Sequence, residues 1–168
     1  QINYELMEKY IAMACANGNT NAMNNFGIYY LNTKKDYVNA KKYFLMGIDK
    51  GSTTSMCNLG CYYSVQQKYD KAIKYLLMGV DNNCDMSMCN LGMLYENVYK
   101  DYEQMEKYYL MAVKCGNKNA ITSIITHYKT NNLYIKLLNL YITYENVSTR
   151  DDIIKTFGEK WGYYGKKP

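Results

Sequence analysis

Proline is nearly absent from this sequence of 168 residues, whose single proline is Pro168 at the end. A proline inside a helix removes a backbone hydrogen bond and clashes with the preceding turn, so its absence leaves every internal segment compatible with a continuous helix. Histidine is equally scarce, because His127 is the only one. Catalytic schemes that pair a serine or cysteine with histidine must all use His127, and no serine, cysteine or carboxylate motif surrounds it. The sequence therefore predicts no enzymatic activity and a packing or surface role for His127.

Long hydrophobic runs and clustered glycines are also missing. No apolar run approaches the roughly 20 residues that a membrane-spanning helix needs. The 11 glycines are spread along the chain and form no phosphate-binding loop. We therefore expect a protein that has no membrane partner and no nucleotide or other cofactor.

The six cysteines do not form the pattern of a disulfide framework. Cys57 and Cys89 stand at equivalent positions of near-identical segments with helical patterns, where small packing residues are expected. Unpaired thiols indicate a reducing compartment, so we expect a cytoplasmic protein. The alternative is a zinc site formed by Cys57, Cys61 and Cys89, since the first two lie four apart on one helix face. No C-x-x-C motif supports that site, and packing thiols without a metal are the favoured interpretation.

Internal repetition is the dominant feature of the sequence. The octamer MCNLGCYY begins at Met56 and returns as MCNLGMLY at Met88. Nearly the same step separates four tyrosines: Tyr10, Tyr43, Tyr75 and Tyr108. Small residues spaced four apart form a third register: Ala14-Gly18-Ala22, Gly47-Gly51-Ser55, Gly79-Asn83-Ser87 and Ala112-Gly116-Ala120. A period of roughly 30 residues predicts a stack of similar structural units.

Each unit contains two stretches of apolar residues at helical spacing, separated by a short polar break. This pattern predicts two antiparallel amphipathic helices per unit, which we name the A helix and the B helix in chain order. Gly51, Asn83 and Gly116 follow the B helices and are expected to adopt the left-handed conformation that ends a helix.

Glycines also recur inside the A helices, as Gly27, Gly60 and Gly92. A glycine within a helix costs about 1 kcal/mol relative to alanine, so its recurrence indicates close approach of a neighbouring helix. One unit alone leaves apolar surface exposed, whereas stacked units bury it. We therefore predict an all-α protein, an α-α solenoid (superhelix) of about four helix-turn-helix repeats.

The repeats predict a single domain over residues 1–168, which is divided into successive repeat segments. The chain begins with Gln1 and opens on a B helix, so we expect it to be a fragment of a longer protein. Ser123-Ile124-Ile125 replaces the Asn-x-Gly motif in the last unit, which therefore diverges from the others. The predicted segments are the second helix of a truncated repeat (1–17), three well-formed repeats (18–50, 51–82 and 83–115), a divergent repeat (116–147), and a C-terminal helix and tail (148–168).

The segment ACANGNTNAMNNFGIYY from Ala14 resembles the Sel1-like branch of the tetratricopeptide-repeat superfamily, as do the later Asn-Leu-Gly motifs with a following tyrosine. YDKAIKYL from Tyr69 matches the element that typically ends such a unit. The resemblance covers roughly residues 8 to 128 and implies a solenoid whose A helices line a concave face. The asparagine- and tyrosine-rich composition also resembles repeat proteins of amoeba-infecting giant viruses, which would imply the host cytoplasm as the location.

In solenoids of this family the concave face is a groove, and the resemblance implies that A-helix residues line it here. The repeated asparagines would hydrogen-bond the backbone of an extended peptide, over an adaptable apolar floor of methionine, isoleucine and thiols. The alternative is that these asparagines only tie one unit to the next. The predicted groove residues are Asn24, Asn25, Ile28, Leu31, Cys57, Asn58, Cys61, Cys89, Asn90, Met93 and Glu96.

These observations predict a non-catalytic protein-protein interaction module, an adaptor or scaffold that binds a peptide or protein partner in the groove. The alternative is a helical-repeat protein associated with RNA. Of the net charge of +5, the residues from Gly116 onward carry +4, with eight Lys and Arg against four Asp and Glu. Nucleic acid would use this basic C-terminal region, because the A-helix positions beside the repeated asparagines offer no basic track.

Overall fold

The computed structural model describes residues 4–144, and these residues are helical with short connections. The helix predicted after residue 148 lies outside the described residues. Within the described range, no helix combines the length and the apolar character needed to cross a membrane. The helices are α1 (Tyr4–Ala16), α2 (Thr20–Tyr29), α3 (Tyr37–Asp49), α4 (Thr53–Val65), α5 (Tyr69–Asp81), α6 (Asp85–Leu94), α7 (Tyr102–Lys114), α8 (Lys118–Thr130) and α9 (Tyr134–Thr143). α2 and α6 each continue into a π-helical turn, Tyr30–Lys34 and Tyr95–Tyr99.

Successive helices pack in order along the chain. A helices α2, α4 and α6 pack on B helices α3, α5 and α7, and each B helix packs on the A helix of the next unit. Each A helix also contacts the following A helix, whereas no comparably extensive contact joins successive B helices between residues 4 and 144. The A helices therefore form the more closely packed of the two layers of the stack. The predicted all-α solenoid is confirmed.

Within each well-formed unit, the A-helix glycine receives a large B-helix side chain. A Cβ atom added to Gly27 would lie 2.6 Å from Cδ1 of Phe44, and one added to Gly60 would lie 2.6 Å from Cγ of Leu76. The third unit repeats the arrangement with Gly92 and Tyr109, at 2.5 Å. Phe44, Leu76 and Tyr109 are almost completely buried. The predicted close approach at these glycines is confirmed.

Between units, the B helix crosses the next A helix at a pair of small residues. Gly47 faces Ser55 and Gly79 faces Ser87, and an added Cβ would lie 2.9 Å and 2.7 Å from the respective serine Cβ atoms. Both serine hydroxyls are buried without a hydrogen-bond partner in the described part of the chain. The pairs at the other two junctions of the repeat are alanines: Ala14 with Ala22, and Ala112 with Ala120.

The turns between units end the B helices as predicted. Gly51, Asn83 and Gly116 have positive φ angles of 80°, 56° and 78°. The next helix then begins at a polar residue in two of these turns, where Ser52 and Asn117 accept hydrogen bonds from the first turns of α4 and α8. These caps satisfy backbone N–H groups that have no partner within the helix.

The repeat length alternates, because Tyr10, Tyr43, Tyr75 and Tyr108 are separated by 33, 32 and 33 residues, and this alternation has a local structural cause. The interval from a B-helix tyrosine to the A-helix tyrosine of the next unit, as from Tyr43 to Tyr63, is the same at both junctions between well-formed units. Within a unit, however, the interval from Tyr30 to Tyr43 exceeds that from Tyr63 to Tyr75 by a single position. The longer units are those with a π-helical turn, which accommodates an extra residue.

Candidate functional site

The repeated asparagines connect neighbouring A helices. The Nδ2 atom of Asn58 donates a hydrogen bond to Oδ1 of Asn24, at 2.7 Å. One unit later, Nδ2 of Asn90 lies 3.2 Å from Sγ of Cys57 and 3.1 Å from Sγ of Cys61. Each asparagine therefore reaches back to the preceding A helix, in the linking role that sequence reasoning left open. Asn25, at the equivalent position of the first unit, is exposed.

The linking bonds use only the nitrogen of each side-chain amide. Among the residues that the structure describes, no donor occupies Oδ1 of Asn58 or Asn90. Both side chains are half-buried, and each borders a cavity described below. The amide oxygens are therefore acceptors available to a ligand.

Three of the predicted groove residues lie beneath the surface. Asn24, Cys57 and Cys89 are buried between units, so they support the A helices and do not line a ligand-accessible surface. The hydrogen bond with Cys61 and burial raise the pKa of Cys57 to about 11. Burial and the nearby Asp85 carboxylate raise the pKa of Cys89 to about 11. The prediction that these residues line the groove therefore needs correction: each directly precedes a repeated asparagine, and this position of the A helix faces the core.

Two adjoining cavities lie along the A helices. The larger, of about 620 Å³, lies between α2 and α4, and the smaller, of about 260 Å³, lies between α4 and α6. Cys61 and Val65 border both of them. We call this surface the groove, and it brings together six of the predicted residues: Ile28, Leu31, Asn58, Cys61, Asn90 and Met93.

Val65 is the most exposed apolar residue of the groove and was missed by sequence reasoning. It is 86% exposed at the end of α4, between the two cavities. The signal was present in the sequence, since Val65 stands at the repeat position that Asn32 and Asn97 occupy in the neighbouring units. Val65 and the exposed Met93 border the smaller cavity together, and a contiguous exposed apolar patch of this kind is typical of a contact surface. Val98, 39% exposed, extends the same surface beside the smaller cavity.

Glu96 connects the third unit to the divergent unit. Its Oε2 accepts a hydrogen bond from the Tyr109 hydroxyl at 2.8 Å, and its Oε1 lies 3.5 Å from Nδ1 of His127. Burial and the hydrogen bond to Glu96 raise the pKa of Tyr109. The His127 ring also packs against Tyr102, with 5.2 Å between ring centroids. Glu96 and His127 therefore serve packing between units, and Glu96 borders neither cavity.

The groove is weakly charged. Among the described residues, Lys35 is the one charged residue that borders the two cavities, and it lies at the rim of the larger one, after the π-helical turn. Most of the remaining surface is apolar or carries neutral amides, as at Ile28, Val65 and Asn90. Such a surface favours a ligand with apolar side chains and few charges.

The six cysteines are unpaired thiols. Between residues 4 and 144, no three histidine, cysteine or carboxylate side chains are arranged to hold a metal ion. Cys15, Cys57, Cys84 and Cys89 are buried, Cys61 is half-buried, and Cys115 is exposed. Packing thus accounts for four of these thiols, but not for Cys61 and Cys115.

No protein-family model matches the chain, and no curated protein matches it.

Proposed function

We propose that this protein is a non-catalytic interaction module, an adaptor or scaffold that binds a peptide segment of a partner protein in the groove. The observation that carries the proposal is the pair of apolar cavities on either side of the exposed Val65. Two cavities along one line of A helices suit successive side chains of one extended segment. An apolar side chain in each would remove Val65 and Met93 from water, which is the main source of affinity for such a surface.

The hydrogen-bonding groups of the groove support a peptide ligand over a phosphate backbone. The free Oδ1 atoms of Asn58 and Asn90 accept hydrogen bonds, and a peptide backbone supplies N–H donors. Phosphate oxygens instead need donors and cations, and within the described part of the chain Lys35 is the single cation at the cavities. The resemblance to Sel1-like and tetratricopeptide repeats agrees with this proposal. The free thiols agree with the cytoplasmic location that we propose for the module.

The proposal is tested by selecting binders from a displayed library of random peptides. Selected peptides are then titrated by fluorescence polarisation against the wild type, Val65→Lys and Val38→Lys. Val38 is the matched control, because it is 79% exposed on α3 and borders neither cavity. Loss of a central apolar contact is expected to weaken binding by about tenfold or more in Val65→Lys and to leave Val38→Lys unchanged.

Circular dichroism on all three proteins establishes that the helices are retained. Peptides that bind Val65→Lys as well as the wild type would place binding elsewhere and contradict the groove proposal. Failure to select any peptide, together with saturable binding of a single-stranded RNA, would replace it with the alternative below.

A second candidate is an association with RNA through the basic C-terminal region. The observation that favours it is that residues 116–144 contain Lys118, Lys129 and Lys136 but no carboxylate. Lys136 is engaged with Glu106 of the preceding B helix, which leaves Lys118 and Lys129 on this surface. The titration with single-stranded RNA is therefore repeated at several salt concentrations, because phosphate contacts weaken steeply as salt rises.

A further inference from the structure

Cys57 and Cys61 form a pair of thiols beside the groove. They lie one helical turn apart on the same side of α4, where side chains four residues apart are neighbours. The nitrogen of Asn90 lies within 3.2 Å of both sulfur atoms and holds them on one side of the helix. The two sulfur atoms therefore share one hydrogen-bond donor. Their proximity is therefore fixed by α4 and by the next unit together.

The two thiols differ in their access to solvent. Cys57 is 3% exposed, whereas Cys61 is half-buried and borders both cavities of the groove. A small solute that enters either cavity therefore meets Cys61 first. Cys57 lies immediately behind it.

The local hydrogen bonds also distinguish the two thiols chemically. A hydrogen bond from the Cys57 thiol stabilises the thiolate of Cys61 and lowers the pKa of Cys61, whereas burial alone would raise it. The same hydrogen bond raises the pKa of Cys57 to about 11. Because the thiolate is the nucleophile and Cys61 is the thiol that borders the cavities, Cys61 is the more reactive member of the pair.

We propose that Cys61 is a peroxide-sensitive modification site on the floor of the groove, and that Cys57 resolves its oxidised form as an intrahelical disulfide. The Cys61 thiolate attacks a hydroperoxide, a sulfur–oxygen bond forms, the O–O bond breaks, and the alkoxide or hydroxide leaving group takes up a proton. The sulfur of Cys57 then attacks the sulfenic acid of Cys61, which releases hydroxide. This hydroxide takes the Cys57 proton and leaves as water. Two thiols are oxidised and one hydroperoxide is reduced.

The helical spacing makes this disulfide reversible. Side chains one turn apart have Cβ atoms about 5–6 Å apart, whereas a disulfide brings them to about 3.8 Å. Closing the bond therefore requires the turn of α4 to tighten. A bond formed under such strain is readily reduced by cellular thiols. This chemistry belongs to the free protein and does not rest on peptide binding.

The test uses hydrogen peroxide and an internal control. The intact chain is treated with increasing peroxide up to equimolar amounts, alkylated, and digested with trypsin. Cleavage after Lys50 and Lys68 leaves both thiols on one peptide, whereas Cys115 lies on the short peptide between Lys114 and Lys118. We expect peptide 51–68 to lose two hydrogen atoms and to resist alkylation, while the more exposed Cys115 stays alkylated. Dithiothreitol should restore alkylation of peptide 51–68.

Two variants identify the order of the reaction. In Cys57→Ser, the sulfenic acid of Cys61 has no resolving thiol, so a dimedone adduct on Cys61 should increase several-fold over the wild type. Cys84→Ser is the matched control, because Cys84 also contacts Cys57 but does not border the groove. It should form the disulfide of peptide 51–68 as the wild type does.

Three results would overturn the proposal. One is oxidation of Cys115 before Cys61. Another is a cross-link from Cys57 to Cys84, which would join peptide 51–68 to peptide 75–100. The third is a dimedone signal on Cys61 that does not change in Cys57→Ser. Circular dichroism checks the fold of the variants, with Cys57→Ala as a substitute for a poorly folded Cys57→Ser, and the wild-type measurement stands without either variant.

Discussion

Gly47 on α3 and Ser55 on α4 share one small space at the junction of the first two complete units. A Cβ atom on Gly47 would lie 2.9 Å from the Cβ atom of Ser55 and still closer to its hydroxyl oxygen. The next junction repeats the arrangement with Gly79 and Ser87. At the junction with the divergent unit, both positions are alanine, as Ala112 and Ala120. The space between the two helices is therefore filled in one of two ways, by glycine against serine or by alanine against alanine.

The first prediction concerns this shared volume. Gly47→Ala adds a methyl group that has no space and is expected to lower the free energy of unfolding by about 1–3 kcal/mol. Ser55→Ala removes a buried hydroxyl without a partner and is expected to be neutral or to stabilise by up to about 1 kcal/mol. The double variant recreates the Ala–Ala pair found elsewhere in the chain, so it should recover part of the lost stability. Urea denaturation of the four proteins measures the coupling free energy.

A coupling of about 1 kcal/mol or more in favour of the double variant is expected, because the two positions are in direct contact. Strictly additive effects would show that the two residues do not compete for space. Ser52→Ala is the control for the serine change. It removes the N-cap of α4 and should destabilise by about 1 kcal/mol, in contrast to Ser55→Ala.

The second prediction concerns the π-helical turn Tyr30–Lys34. Deletion of Thr33 shortens the interval from Tyr30 to Tyr43 until it equals that between Tyr63 and Tyr75, so α2 and α3 should still pair. Thr33 is exposed, and its removal takes away no buried contact. We expect the helical circular dichroism signal to persist. The midpoint of thermal unfolding should change by only a few degrees, which corresponds to a change of about 1 kcal/mol in the free energy of unfolding.

Deletion of Gln66 is the matched control for this experiment. It shortens the connection between α4 and α5, which has no π-helical turn, below any interval present in the chain. This deletion should disrupt the pairing of α4 with α5 and lower the midpoint much further. Equal effects of the two deletions would contradict the assignment of the extra residue to the π-helical turn.

The third prediction compares the two asparagine links. Asn58→Ala leaves Oδ1 of the buried Asn24 without a donor and is expected to destabilise by about 1–3 kcal/mol. Asn90→Ala removes contacts to sulfur, a weaker acceptor, and should destabilise by less, about 1 kcal/mol or below. Urea denaturation provides both values. The opposite order would show that the thiols hold Asn90 more strongly than an amide holds Asn58.

The fourth prediction concerns pH and Glu106. Burial would raise the pKa of Glu106, but hydrogen bonds from Lys136 and from the Tyr128 hydroxyl, the latter at 2.6 Å, outweigh burial and lower it below its ordinary value of 4.5. The stability that Glu106 contributes is therefore fully present above about pH 4.5, and is lost as the pH falls through the lower pKa of the folded state.

Urea denaturation between about pH 6 and pH 3 tests this sign. Glu106→Gln should lose part of the decrease in stability on acidification that the wild type shows. Glu103→Gln, at an exposed position of the same helix, serves as the control and should keep the wild-type profile. A Glu106→Gln profile that parallels the wild type would mean that the contacts of Glu106 do not depend on its charge.

The sequence predicted the stacking because the stacking depends on residue size at fixed positions. Gly27, Gly60 and Gly92 are unfavourable in helices unless another side chain occupies the space beside them, so their recurrence carried structural information. The π-helical turns could not be located in the same way. The alternating period shows that one residue is extra, but not where the backbone absorbs it.

The chemistry of the groove was less predictable than its position. Asn58 and Asn90 are equivalent in the repeat, yet one binds an amide and the other binds thiols, because the partner position changes from Asn24 to Cys57. Val65 was missed because helical periodicity describes the face of a helix and not how far its end extends beyond its neighbours.

The two kinds of junction also determine which unit of the array tolerates duplication. The unit at 51–82 begins with Ser55 and ends with Gly79, so a tandem copy would place glycine against serine, as both natural junctions of this unit do. A copy of 18–50 would place Gly47 against Ala22 and leave a gap, and a copy of 83–115 would crowd Ala112 against Ser87. Lengthening of the array by recombination is therefore compatible with its packing when the central unit is the one copied.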